Sequence, residues 1–323
     1  MLGSLLFCLG LNPLLIRAKA KYHDVGFRAI IDDVTLWGPP AAVLDCFEFI
    51  RDEMSKIGLR ANYKTTFYAP QGYVHDEVRF PTSGPNRAIT LSYEGVKIVG
   101  SMQSRDPSVI TSFLEDKQRR SETFFRRITL LPPNQAFVVL QKCTIPRVMY
   151  LSRTMNPDYV IPSLCEPFDA HVRDALQVVL QCSLSDISCE SEILLHLPPS
   201  EGGAGITQTS LVARDAFMAS LMASRGTNPS ARQHTLVKAR NKTLAAYIDS
   251  LGPTEKAHRF ACSQRNSMAA FGVPHVRFPA ENFSAALRWR VAIFDSDVQH
   301  PSSVCPGCCR QYTAREYINV NIK

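Results

Sequence analysis

Two adjacent carboxylates, Asp32 and Asp33, stand between two short apolar and β-branched runs, Ile30-Ile31 ahead of them and Val34-Thr35-Leu36 behind. Phe27, Ala29 and Ile31 alternate before the pair, and Val34 and Leu36 alternate after it. Period-two patterning on both sides of a polar dipeptide predicts a β-hairpin with the aspartates at its tip. Unpaired carboxylates strongly resist leaving water, so the tip is either solvated or holding a cation. A polar turn is the ordinary reading of such a dipeptide. The chemical one is a bound cation. A second group is cationic. Arg119 and Arg126 are seven positions apart, as are Arg120 and Arg127, so a continuous helix gathers them into a ridge. Such a ridge is either a solvated face or a track for a phosphate backbone, where each neutralised phosphate releases counterions. A third group is thiol. Cys305-Pro306-Gly307-Cys308 has the spacing that lets two thiolates share one Zn2+. It is half a site: His300 and Cys309 are near, but no further cysteine or histidine follows Cys309.

These groups must be positioned by elements that the pattern also predicts. The stretch 2–21 reads as a helix, kinked or restarted at Pro13. Pro39-Pro40 ends the aspartate hairpin and opens a helix over 41–57, where Val43, Phe47, Ile50, Met54 and Ile57 fall on one stripe. Gly58 stops it in the usual C′ position. That stripe is core and is expected to pack behind the aspartate hairpin. A strand over 61–69 carries Lys64, residues 70–87 read as a loop, and 88–99 alternates as a second hairpin turning at Glu94-Gly95. From Asp106 the pattern is helical, with Val109, Phe113, Phe124, Ile128 and Leu131 as its apolar side. Further helices are expected over 168–184, 209–223 and 235–251. Phe168, Val172, Ala175 and Val179 have plain helical core spacing. Gly202-Gly203 and Gly205 lack the lysine and spacing of a phosphate-binding loop, so they read as a tight turn before a helix.

At 323 residues the chain can bury a substantial core and is expected to divide into more than one domain. Its 45% hydrophobic content excludes wholesale disorder. A net charge of +7 favours a polyanionic partner. Ten cysteines over this length are too sparse for a disulfide scaffold and fit a reducing compartment, nuclear or cytoplasmic. The apolar start has no preceding positive charge, is interrupted by Pro13, and is too short and broken to span a bilayer, so no membrane partner is expected.

The order of features resembles the reverse transcriptases of non-LTR (LINE-type) retrotransposons. Ile30-Ile31-Asp32-Asp33 is similar to their catalytic palm hairpin, with Ile30 where an aromatic residue is usual. Leu5-Leu6-Phe7 to Leu14-Leu15 resembles the palm helix before it, and Gly58-Leu59-Arg60-Ala61-Asn62-Tyr63-Lys64-Thr65 resembles the motif after it. Val96-Lys97-Ile98-Val99-Gly100 resembles the primer grip, and Leu197-Pro198 with Gly202-Gly203-Ala204-Gly205-Ile206 resembles a thumb signature. The resemblance implies an α+β fold. Residues 1–104 would be the second half of a palm, with antiparallel hairpins backed by helices. Residues 105–270 would be a mainly helical thumb, and 271–323 a tail with an incomplete zinc knuckle. It implies RNA-directed DNA synthesis with Mg2+ (or Mn2+) on Asp32 and Asp33, and Lys64 beside the leaving pyrophosphate. An RNA template and a DNA primer would lie along Arg119, Arg120, Arg126 and Arg127. It also implies a third palm carboxylate and a fingers domain from an upstream segment. Asp24 cannot replace that carboxylate: eight extended residues place it about 26 Å from Asp32. The expectation is therefore a fragment inactive by itself. A nucleic-acid-binding remnant without catalysis, or a decayed reading frame, is the alternative.

Overall fold

Apolar residues on nearly every side of the first stretch make it helical without making it amphipathic. α1 (Leu2–Lys21) runs through Pro13 as one helix. The chain then turns into β1 (Gly26–Ile30) and β2 (Asp33–Trp37), an antiparallel pair, and enters α2 (Pro40–Lys56) with Pro40 at its first position. There its fixed φ suits the helix and its missing N–H costs nothing. The structure is a computed structural model that describes residues 2–31, 33–60, 65–69, 89–185, 187–226, 232–264, 280–293, 303–304 and 311–312. Asp32, Lys64, Cys305 and Cys308 lie outside the described residues, as do His300 and the expected loop over 70–87. The fold is mixed: many helices with small two-stranded sheets, an α+β arrangement. The chain divides into two units, Met1–Ser112 and Phe113–Lys323.

In the first unit, Leu11, Leu14 and Ala18 of α1 form a buried cluster with Val25 and with Cys46 and Ile50 of α2. Phe27, Val34 and Leu36 of the hairpin pack against it. The expected stripe of α2 is kept in part: Ile50 is buried, and Val43 and Met54 pack against the cluster. Leu44, Cys46 and Ile50 are its buried residues, whereas Ile57 is about half exposed and is the C-cap residue rather than part of the helix. The reason is that α2 faces both α1 and the hairpin, so its core face is wider than one row. β3 (Thr65–Tyr68) and β4 (Ile89–Ser92) pair in parallel. The expected hairpin over 88–99 is therefore not formed. The antiparallel pair is β5 (Val96–Ile98) with β6 (Ser101–Gln103), turning at Val99-Gly100. Both turn residues have left-handed backbones, φ 47° and 86°, as a tight two-residue hairpin loop requires. Ser92 diverts the chain at 92–95, its hydroxyl donating to the Gly95 carbonyl at 2.7 Å, so that segment is a local bend instead of a ladder turn.

α3 (Pro107–Ile128) starts at Asp106, whose carboxylate accepts the Ser108 N–H at 2.8 Å. Its buried side is Phe113, Leu114, Ser121, Phe125 and Ile128. Phe125 rather than Phe124 points inward, and Leu131 is exposed. Phe125 meets Phe168 edge-on at 4.9 Å, whereas Phe124 is covered by the Arg147 guanidinium at 3.8 Å. The second unit continues with α4 (Pro133–Cys143), α5 (Ile145–Thr154), α6 (Pro157–Val160), a π-turn (Ile161–Cys165) and α7 (Glu166–Leu180). Phe168, Val172, Ala175 and Val179 of α7 are all buried, as their spacing predicts. α8 (Cys189–His196), α9 (Thr209–Arg225), α10 (Gln233–Leu251), α11 (Pro253–Ser263) and α12 (Ala280–Arg290) complete it, with a two-stranded pair β7 (Ser303–Val304) and β8 (Gln311–Tyr312). Ala213, Ala216 and Ala219 form a small-residue face on α9, which packs on α5.

The glycine stretch after α8 is structural. Gly203, Ala204, Gly205 and Ile206 run back along the end of α8. Ala204 N–H donates to the Leu194 carbonyl at 2.8 Å, Gly205 N–H to Leu197 at 2.8 Å and Ile206 N–H to Leu195 at 3.1 Å. These bonds satisfy carbonyls that the helix leaves open. A side chain at 203 would put its first carbon 2.1 Å from the Leu197 carbonyl oxygen, so only glycine fits. The tight turn before a helix is thus the correct reading of these glycines.

Candidate functional site

The geometry of the aspartate hairpin follows from its register. Ile30 pairs with Asp33 and Ala29 with Val34, and Ile31 follows β1 as a turn residue. Directly paired residues share a face. Phe27 with Leu36, and Ala29 with Val34, make the face toward α1 and α2. Arg28 with Thr35, and Ile30 with Asp33, make the opposite face. Asp33 therefore begins β2 on the outer face, exposed to solvent. It makes no ion pair or side-chain hydrogen bond among the described residues. Its neighbours Ile30 and Ile31 are about half exposed, an apolar rim beside a bare carboxylate. Ile31 sits at φ 58°, a left-handed backbone that a β-branched residue adopts only at a cost of about 1–3 kcal/mol. At the other end, Gly26 pairs with Trp37, and the indole lies where a side chain at 26 would go, 2.3 Å from that position. The hairpin is thus clamped at its base by packing and strained at its tip.

The basic residues of α3 lie in the other unit. Arg119, Arg120, Arg126 and Arg127 are all exposed. They form two columns about 100° apart around the helix, since seven residues make nearly two turns. Arg120 is held by Asp116 one turn earlier, at 2.7 Å. Arg119, Arg126 and Arg127 make no ion pair among the described residues. Arg126 and Arg127 occupy the last turn, where the helix dipole favours positive charge. Glu115, Asp116 and Glu122 border the same columns, so the ridge is basic but not purely so. The hairpin and the ridge belong to separate units, and Asp32, Lys64, Cys305 and Cys308 fall outside the described residues. Among the described residues no group of three or more His, Cys, Asp or Glu side chains gathers to hold a metal.

Sequence reasoning passed over one carboxylate that organises the second unit. Asp169, on α7, binds the start of α9 with both oxygens. Oδ1 accepts the Thr209 N–H and hydroxyl, each at 2.8 Å, and Oδ2 accepts the Ser210 N–H at 2.9 Å and hydroxyl at 2.7 Å. The cap comes from forty residues away, so no local capping pattern reveals it; Thr209-Ser210 opening a helix is the only hint. Two imidazoles were also missed, His258 buried and His196 half-buried. Burial holds His196 and His258 below the ordinary imidazole range, each against a backbone carbonyl, of Ile206 at 2.8 Å and of Arg290 at 3.1 Å. No helix is long and apolar enough to cross a membrane among the described residues. Compared with protein-family models, curated proteins and solved structures, the chain gives no match.

Proposed function

We propose that this chain is part of an RNA-directed DNA polymerase of the non-LTR retrotransposon kind, comprising part of the palm and a helical thumb. One observation carries the reading. Asp33 heads the second strand of a hairpin whose other face packs on a helical layer, and its exposed carboxylate has no partner among the described residues. That arrangement suits a carboxylate that meets substrate phosphates through a hard cation. Asp32, its neighbour in sequence, completes the acidic pair. Asp33 supplies bare oxygen ligands, so the residues fit a share of a magnesium or manganese site, and Asp32 and Asp33 would hold it. Bound there, the cation would stabilise charge on the phosphate under attack and on the leaving pyrophosphate. In this reading Lys64 adds a positive charge near that pyrophosphate, and Arg119, Arg126 and Arg127 follow the backbone of the template–primer duplex. The Cys305/Cys308 half-site would open a zinc knuckle.

The chain alone is expected not to extend a primer. Two adjacent carboxylates recruit a hydrated cation loosely, and positioning supplies a large share of barrier reduction in phosphoryl transfer. The test is primer extension on an RNA template by the purified chain, alone and with the upstream palm and fingers supplied as a separate polypeptide. Extension only in the mixture, abolished by Asp32→Ala with Asp33→Ala, supports the reading. A folded mixture that never extends the primer refutes it. If the mixture is inactive yet the chain binds duplex with a steep salt dependence, the second reading stands, a nucleic-acid-binding remnant acting through the exposed arginines of α3.

A further inference from the structure

The second unit holds a cleft of about 430 Å³ between α4, the end of α8, the start of α9 and α10. Its volume falls within the range of small-molecule sites. Its lining mixes aliphatic side chains, Pro199, Leu211, Val212, Val237 and Leu244, with polar ones that include Lys142, His196, Arg240 and Asn241.

Each polar group is oriented with capacity left over. Arg240 on α10 donates one terminal nitrogen to Asp215 of α9, and the two side chains are 27% and 21% exposed. The remaining guanidinium donors have no partner among the described residues. Asn241 beside it likewise makes no side-chain hydrogen bond among the described residues. His196 faces the Ile206 carbonyl through Nδ1 at 2.8 Å, which fixes the proton on Nδ1 because a carbonyl can only accept. Nε2 is then left as an acceptor. Burial keeps this ring neutral at neutral pH. The floor is held open by glycine: a side chain at Gly205, φ 76°, would meet the Gln141 amide nitrogen and Pro199 Cδ, each at 2.9 Å. Gln141 is in turn pinned, donating to the Ala204 carbonyl at 2.9 Å.

The charges decide the ligand. Asp215 offsets Arg240, so the lining has one net positive charge, that of exposed Lys142. A polyanion would be undercompensated, and a neutral hydrocarbon would strand the free guanidinium donors. Among the described residues no Phe, Tyr or Trp lines the cleft to stack a base. We propose that this cleft binds an aliphatic monocarboxylate, with its carboxylate received by Lys142, Arg240 and Asn241 and its hydrocarbon body against Leu211, Val237 and Leu244. A hydroxyl or N–H on the ligand would be received by His196 Nε2. This site belongs to the second unit and does not depend on the aspartate hairpin.

The probe is octanoate, titrated calorimetrically into the full chain, with octanamide and inorganic phosphate as controls. Saturable octanoate binding at one site is expected, with octanamide and phosphate each about tenfold weaker or worse, since loss of a charge-assisted hydrogen bond or of the apolar contact each costs that much. Arg240→Gln and, separately, Leu211→Glu should each weaken octanoate about tenfold or more. Leu211 is 46% exposed, so its variant should keep the native circular dichroism even if loss of the Asp215 partner unsettles the first. Absence of saturable octanoate binding to the folded chain overturns the proposal. So does equal binding of octanamide or phosphate, or unchanged affinity in folded Leu211→Glu.

Discussion

Asp169→Ala should be among the most damaging single changes in the second unit. The carboxylate accepts four hydrogen bonds, two from the first backbone amides of α9 and two from the Thr209 and Ser210 hydroxyls. Those amides have no partner within the helix, because the first turn of any helix leaves its N–H groups open. Replacing a helix cap by alanine costs about 0.5–2 kcal/mol. A hydrogen bond to a charged acceptor is worth about 1.5–3 kcal/mol, and these four share one half-buried carboxylate, so their values do not add. The expected loss is about 3 kcal/mol, a large fraction of a typical domain's stability. The buried Thr209 hydroxyl can turn to the Cys165 carbonyl at 3.3 Å, so the two backbone amides and Ser210 carry most of the loss. Asp169→Asn keeps one acceptor oxygen but turns an NH2 toward donors, so it should lose about half as much. The assay is urea unfolding followed by far-UV circular dichroism. Amide hydrogen exchange at Thr209 and Ser210 shows whether the loss is local. A double-mutant cycle of Asp169→Ala with Ser210→Ala isolates the shared term. A loss below about 0.5 kcal/mol, the ordinary scatter of surface substitutions, would refute the reasoning. So would full additivity in the cycle.

Three further outcomes are expected. Ile31→Gly relieves a left-handed backbone at the tip of the aspartate hairpin and should raise the stability of the first unit by about 1 kcal/mol, read from its urea midpoint; Val99→Asn should do the same in the second hairpin. For pH, His196 and His258 are held below the ordinary imidazole range by burial, so between their folded values and about pH 6.5 the unfolded chain binds more protons. Stability of the second unit should therefore be level above about pH 6.5 and fall as pH drops below it, before the carboxylates begin to titrate; a flat urea midpoint down to about pH 5 would contradict this. Reversing Arg119, Arg120, Arg126 and Arg127 to glutamate should weaken duplex binding and flatten its dependence on salt, whereas an unchanged slope of log affinity against log salt would make the ridge an ordinary solvated face.

Period and punctuation carried the local elements. The Asp-Asp hairpin, α2 after Pro39-Pro40, and the buried row Phe168, Val172, Ala175 and Val179 were legible because each depends on neighbours within one or two turns. What was not legible depends on distant partners. β4 pairs in parallel with β3, and alternation alone cannot tell a parallel partner from a hairpin one. Phe124 and Phe125 both fit an apolar face of α3; Phe168 and Arg147 decide between them. Asp169 gave no sign of capping a helix forty residues on. Of the candidate site, the placement of Asp33 at the head of β2 was readable. Its solitude was not, since only the register shows which face the carboxylate takes.

That solitude sets the terms for any chemistry at the hairpin. An exposed carboxylate beside exposed Ile30 and Ile31 is an unusual surface, because apolar side chains gain nothing by flanking a charge in water. Two features make it coherent. The strand pair is anchored from behind by Phe27, Val34 and Leu36, so the tip can be held rigid without using its own side chains. The tip also keeps a left-handed isoleucine that glycine or asparagine would relieve, so local stability did not choose this residue. A rigid strand end carrying a bare carboxylate in an apolar rim is suited to contact with something placed over it, which would bury the isoleucines and bring charge to Asp33. An incoming cation–phosphate pair or a neighbouring protein layer would each meet part of that requirement.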